Sequence, residues 1–433
     1  MRRHRLLRRL ALPAVAAGAF ALGCLVYWLA AKSTYFAMLY GWGVVPVDFP
    51  FVDTHSVLSA RVCSALGIDP FVTNPCDVLV RQFEYSPLLL LGAGAHELSA
   101  NVPLGFALNV SFILSLFYLP PSRKLADFSV LALAVLSSVT AFAAERGNFE
   151  LLLFAAFAVA GRLAVGRKMA PRLLAYGLML TAAFAKFFPA VLLALTLRER
   201  PRFFVAINAA AAALIALFVV GYRAELLVAY GNFPRLDYFG DMFGAVMLPY
   251  GLAALTPGFP AAVALAGLML AALGASVVLA RQPAVIQAYA ELPEVERVFL
   301  AIGCLLIVGC FFAGQSVAYR GIHLLFVLPA LNTLARTMPS AAGRRMFSVT
   351  RVLTLFLMWR EALHHFAVSL LPAGLPVWWL AKELAWWWLI AVLAGLTLCF
   401  ARDSTMGRIV ARWLPPRWLA GTPLGLPGGR NPS

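Results

Sequence analysis

Apolar runs of about 20 residues recur along the whole chain, separated by short loops that are rich in arginine and in carboxylates by turns. A helix needs about that length to cross the hydrocarbon of a bilayer. The first run, Ala11–Ala31, follows the basic start MRRHRLLRRL. It exceeds the apolar core of a cleavable signal, and no small-x-small cleavage site follows it. It therefore reads as a retained helix with its N-terminus in the cytoplasm. Cys24 follows Leu22-Gly23 in only a faint lipobox likeness, because the apolar run continues through it.

Loop charge orients the remaining runs, since cytoplasmic loops collect Lys and Arg. Basic loops at Pro120–Asp127, Gly161–Arg172, Arg198–Arg202 and Arg336–Arg345 are assigned to the inside. Spans are expected over Ser99–Leu119, Phe128–Ala144, Phe149–Val165, Phe203–Gly221, Phe259–Ala280, Arg297–Ala313, a stretch ending near Arg336, Val352–Leu371 and Glu383–Ala401. Ser86–Ala95 is expected as a partial helix at the outer surface. Only about 25 apolar residues, Leu173–Leu197, separate two inner loops, with Lys186 and Pro189 at their midpoint. The chain must enter and return within that length, which predicts two short helices joined at AKFFPA. Broken backbone is tolerated at membrane depth only against protein or a cavity, so this turn points to a site. The pattern predicts an all-α polytopic protein of about twelve membrane-embedded helices, two of them short, with both termini cytoplasmic. Residues 1–401 form one transmembrane domain, with an outer loop at 32–85. Residues 402–433 are a basic cytoplasmic tail with a disordered end.

Composition agrees with this reading: 62% of the 433 residues are hydrophobic and 12% charged. The net charge of +16 sits in loop arginines rather than in a basic stripe interleaved with aromatics, which argues against a nucleic-acid partner. The bilayer is the implied partner. Cys24, Cys304, Cys310 and Cys399 lie in apolar runs as packing residues. Cys63 and Cys76 share the first outer loop, and can pair if that loop faces an oxidising space. No CxxC or His/Cys metal spacing is present, and no cofactor is implied.

Charge gathers on one face. Under this topology Asp48, Asp53, Asp69, Asp77, Glu84, Glu145, Glu150, Glu225, Asp237 and Asp241 all lie outside. A solvated loop accounts for Asp69, Asp77, Glu225 and Asp237. It does not account for Lys186, because a lysine between two apolar half-helices needs a partner. In FVDTHS (Phe51–Ser56), Asp53 is either a functional carboxylate or the N-cap of the following helix. Asn148 is either a ligand or the cap of the helix after Gly147, and Arg146 and Glu150 are either functional or a structural pair. His96, His323, His364 and His365 read as structural, and Ala385–Leu389 as an aromatic belt.

Three stretches, in this order, carry a resemblance: FVDTHS with GIDPFVTNPCD and EYSPLLLL, then ERGNFE with AKFFPAVLLALTLRER, then AGQSVAYRGIHLLFVLPAL. Together they resemble GT-C membrane glycosyltransferases of family 87, which use polyprenyl-phosphate-mannose. The likeness spans Phe51 to Leu331. It implies metal-independent, inverting transfer of a sugar from a polyprenyl-phosphate donor to a lipid or glycan acceptor, at the outer face of a bacterial inner membrane. Asp53 is then the general base, with Asp48 the second candidate. Lys186, Arg320 and Arg146 hold the donor phosphate, while Asn148, Glu150, Glu84, Gln315 and Tyr319 contact substrate. Neither Lys186 nor Arg320 has an acidic residue within one helical turn in sequence, so each is expected to recruit an anion. The family's Asn-Ser pair is not evident in YFGDMFGAVML, which leaves acceptor handling there open. The alternatives are a lipid-intermediate flippase or small-solute transporter, or an inactive relative that serves in assembly. A transporter favours inverted repeats and charges at the midplane, whereas the charges here collect at one face.

Overall fold

The computed structural model describes residues 2–92, 94, 97–122, 124–166, 168–233, 237–240, 242–370 and 375–413, with side chains from Arg9 to Ala367 and from Leu375 to Arg412. His96, Asp241 and residues 414–433, the end of the expected tail, lie outside the described residues. The chain is all-α apart from one short ribbon. Six helical stretches are long and apolar enough to cross a membrane, or seven if one bent pair counts as a single span. This is the make-up of a multi-pass membrane protein.

The first is α1 (Arg2–Leu29). The expected polar loop then holds two helices, α2 (Lys32–Gly41) and α3 (Val52–Ala65). The predicted partial helix at Ser86–Ala95 is a single 3-10 turn, Pro87–Leu90, whose first turn is capped by the Ser86 hydroxyl. The second span, Glu97–Tyr118, is built around α4 (Asn101–Ser115). α5 (Leu125–Val135) and α6 (Ser138–Arg146) are one apolar run bent by 44°. At the bend Ser137 takes a hydrogen bond from Thr140 N and restarts the helix. Next come α7 (Glu150–Ala164) and α8 (Met169–Lys186).

Beyond Lys186 the chain reverses. Phe187 has φ 58°, an unusual conformation for a bulky residue, and Phe188–Arg198 returns as a 3-10 helix. A 3-10 helix rises ~2.0 Å per residue against ~1.5 Å in an α-helix, so eleven residues retrace most of the eighteen in α8. The ends meet where Arg172 Nε lies 2.8 Å from Glu199 Oε1, and Tyr176 donates to the same oxygen at 2.6 Å. The predicted hairpin is present, with one α limb and one 3-10 limb in place of two short α-helices.

α9 (Pro201–Gly221) is apolar on every side and exposed along nearly its whole length. A helix of that kind needs lipid around it. α10 (Arg223–Gly231), α11 (Met247–Leu255) and the strand β1 (Met242–Phe243) between them lie in the stretch that carries Glu225 and Asp237, between two expected spans. Then follow α12 (Ala261–Arg281), α13 (Pro283–Glu291) and α14 (Glu294–Ala313). β2 (Ser316–Val317) pairs antiparallel with β1 and leads into a 3-10 stretch, Ala318–Phe326, and α15 (Leu328–Thr337). α16 (Ala341–Leu370), α17 (Leu375–Asp403) and α18 (Thr405–Trp413) complete the described chain.

The core centres on α14, the most enclosed of the six spans. Phe326 stacks on Phe154 of α7 at 4.3 Å and packs against Phe299 of α14 at 5.7 Å. These contacts place the 3-10 stretch Ala318–Phe326 between α7 and α14, so the residues before Phe326 face the start of α7.

Candidate functional site

The polar loop after α1 is an ordered unit with its own small core. Phe71, Phe83 and Tyr85 pack over Ala60 of α3 and Ala229 of α10. Asn232 donates to the carbonyls of Phe71 and Phe83 at 2.8 and 3.0 Å, tying the segment after α10 onto this loop. The Cys63–Cys76 disulfide forms, with a Cα–Cα distance of 5.9 Å.

Asp53 lies in the first turn of α3. The N-cap position belongs to Phe51, whose backbone is left-handed, so Asp53 is not the cap. Its Oδ1 accepts from Arg81 Nη1 at 2.9 Å and its Oδ2 from Asn148 Nδ2 at 2.7 Å. Arg81 also reaches Asp77 Oδ2 at 2.9 Å and the Val52 carbonyl at 2.6 Å. His55 Nδ1 lies 3.1 Å from Asp77 Oδ1. Asp77 thus departs from the expected solvated loop residue and is buried. Burial works against its charge, but hydrogen bonds from His55 and Arg81, with the charge of Arg81, prevail and hold its carboxyl well below the usual range.

The α6–α7 turn supplies the second part. Gly147, at φ 56°, ends α6 in the left-handed conformation that favours glycine. Thr54 Oγ1 donates to the Gly147 carbonyl at 2.7 Å, and the Phe51 ring fills the space that a side chain at Gly147 or Gly105 would need. Asn148 Oδ1 accepts from Glu150 N at 2.9 Å, satisfying the first amide of α7 from the position before its N-cap Phe149, while its amide group holds Asp53.

Glu150 opens α7 fully buried, a departure from an exposed outer turn. Lys186 Nζ lies 3.0 Å and Arg320 Nε 3.5 Å from its Oε1, and His323 Nε2 lies 3.0 Å from its Oε2. The anion expected for Lys186 and Arg320 is a carboxylate of the protein itself, supplied by another helix and beyond one turn in sequence. Two cations nevertheless share one carboxylate, and Lys186 Nζ, although buried, makes no well-aligned hydrogen bond among the described residues. The rings of Tyr85 and Tyr319 stand 5.0 and 5.3 Å from it. Arg320 also lies over Phe188 at 5.1 Å and donates to Ser316 Oγ of β2 at 2.9 Å. Gln315 precedes Ser316, and its Oε1 is buried without a hydrogen bond among the described residues. Glu84 is half-buried and feels the charges of Lys186, Arg320, Asp53 and Arg81.

Two expected residues stand apart. Asp48 is exposed and pairs with Lys32, sharing none of the partners of Asp53. Arg146 pairs with Glu145 at 3.0 Å, donates to the Val45 carbonyl at 2.9 Å and lies over Phe142, so it does not join Lys186 and Arg320. Sequence reasoning passed over Arg81, Asp77 and His55 as loop residues and read His323 as structural. A signal was available for His323: a polar residue in an apolar stretch needs a partner of opposite character.

Beside this site a cavity of about 260 Å³ runs between α1, α2, α4 and the bent α5–α6 pair. Its walls include Phe20, Tyr27, Trp42, Phe51 and Phe106, with Asn109 and Glu145 among them. Comparison with family models, curated proteins and solved structures finds no match in any of the three.

Proposed function

We propose that this chain is a membrane glycosyltransferase that moves a sugar, mannose in the family it resembles, from a polyprenyl phosphate to a hydroxyl of a lipid or glycan acceptor. One observation carries the reading. Asn148 holds the carboxylate of Asp53, and two residues later Glu150 holds Lys186 and Arg320. A proton acceptor and an anion site are thereby attached to a single helix start.

In this reading the acceptor hydroxyl gives its proton to Asp53 as its oxygen bonds to the sugar C1. The bond from C1 to the donor phosphate oxygen breaks on the opposite side, which inverts C1. Lys186 and Arg320 stabilise the charge the phosphate gains. The nearby apolar cavity offers space for a lipid chain. Twelve membrane-embedded segments, cytoplasmic termini and a site facing the periplasm of a bacterial inner membrane complete the proposal. The Cys63–Cys76 bridge supports that sidedness, because structural disulfides persist in oxidising compartments.

The test is purified protein in detergent, given a polyprenyl-phosphate sugar and a hydroxyl acceptor. Release of polyprenyl phosphate with formation of a glycosylated acceptor is expected. Movement of the intact donor across proteoliposomes without such release replaces the transferase reading with a flippase.

A further inference from the structure

Lys186 and Arg320 face Glu150 through one oxygen, which leaves two cations against one carboxylate. A second carboxylate stands beside them. Glu84 follows buried Phe83 and precedes Tyr85, the residue whose ring packs on Lys186. Among the described residues Glu84 makes no hydrogen bond and no ion pair. The charged and titratable groups whose fields it shares are Lys186 at the end of α8, Arg320 and Tyr319 of the 3-10 stretch, Asp53 of α3, and Arg81 and Tyr85 of its own loop. Glu150 lies beyond Lys186.

Ionised, Glu84 balances the cluster at two cations against two carboxylates. Protonated, it leaves one positive charge in excess, which suits a phosphate diester carrying a single negative charge. We propose that Glu84 makes the Lys186–Arg320 pair a proton-dependent anion site, in which the protonated side chain admits a phosphate diester and the carboxylate expels it. The inference rests on the proposed role of these two cations in holding the donor phosphate, and it states what controls their occupancy.

The sign follows from the surroundings. Burial raises the Glu84 carboxyl above its usual value, against the pull of Lys186 and Arg320. A bound anion is a like charge for Glu84 and raises it further. The occupied site therefore holds more protons than the empty one. Affinity is highest below the pKa of the empty state, falls as pH rises between the two values, and levels off above the pKa of the occupied state.

The probe is dioctyl phosphate, a diester whose charge does not change across this range, titrated calorimetrically into the full-length protein in detergent. Two buffers of different ionisation heat report the protons taken up. Wild type is expected to gain a proton on binding and to lose affinity by up to about tenfold per pH unit within the window. Glu84→Gln is expected to bind equally at all pH values, with the low-pH affinity of wild type and no proton uptake. Retention of the pH slope by Glu84→Gln, or binding by wild type without proton uptake, overturns the proposal. Equal binding by wild type and Lys186→Met, or no binding at any pH, overturns the anion site and this inference with it. Proton-linked binding without sugar transfer overturns only the transferase reading.

Discussion

Lys186 Nζ lies 3.0 Å from Glu150 Oε1, joining the last residue of α8 to the first of α7 inside the protein. Removing one member of a buried ion pair typically costs about 3–5 kcal/mol, because a charge is left without its partner. Glu150→Gln strands two cations, whereas Lys186→Met leaves Glu150 with Arg320 and His323. Thermal unfolding in detergent is therefore expected to show the larger loss for Glu150→Gln. The double variant is expected to lose less than the sum of the two. The reverse order would mean that Glu150 is not the hub of this cluster.

Asp53→Asn is expected to lower transfer by ~10²–10⁴-fold, the usual effect of removing a general base. The fold is expected to survive, because Arg81 keeps Asp77 and the Val52 carbonyl. Turnover by the purified variant, measured beside its melting curve, checks both halves. Near-wild-type turnover would remove Asp53 from the chemistry.

The Asp77 network predicts acid sensitivity of the first loop. Its carboxyl is held below the ordinary value of 3.8, so the stabilisation is complete above that value and is lost as pH falls below it. Hydrogen exchange of the 66–85 segment is expected to quicken below that pH in wild type. In Asp77→Asn it is expected to be fast at neutral pH and to change little on acidification. An identical acid response in both proteins would assign the effect to other groups.

Opening the Cys63–Cys76 bridge with Cys63→Ser/Cys76→Ser is expected to cost ~2–4 kcal/mol of loop stability. Proteolysis between Leu66 and Val80 should accelerate while the helices remain resistant. Unchanged cleavage would show that the aromatic core around Phe83 holds the loop unaided.

Sidedness has its own test. Arg200→Cys and Asp69→Cys, both at exposed positions, are expected to react with an impermeant thiol reagent from opposite sides of the membrane. Labelling of both from one side would mean that the α8 hairpin does not return the chain to its starting face.

Period and loop charge made the helices readable. α9, α12 and α14 begin within three residues of their expected starts, because long apolar runs between basic loops admit few alternatives. The turn after Lys186 was readable too, since the residues between two basic loops were too few for two full spans. The bend at Ser137 was not: it interrupts an apolar run without proline or glycine. The partners in the site were equally hidden. Glu150 and Lys186 are joined by the packing of α7 on α8, and Arg81 reaches Asp53 only because a disulfide and an aromatic cluster fold the loop back. Such contacts leave no periodic trace in sequence.

Asn148 links Asp53 to the start of α7, and Thr54 and the Phe51 ring bind the same turn from the other side. The four residues from Gly147 to Glu150 therefore join two charged groups of the site, Asp53 through Asn148 and the Lys186–Arg320 pair through Glu150. On the proposed function, an anion that competes with Glu150 for Lys186 acts on the same turn that positions Asp53 through Asn148.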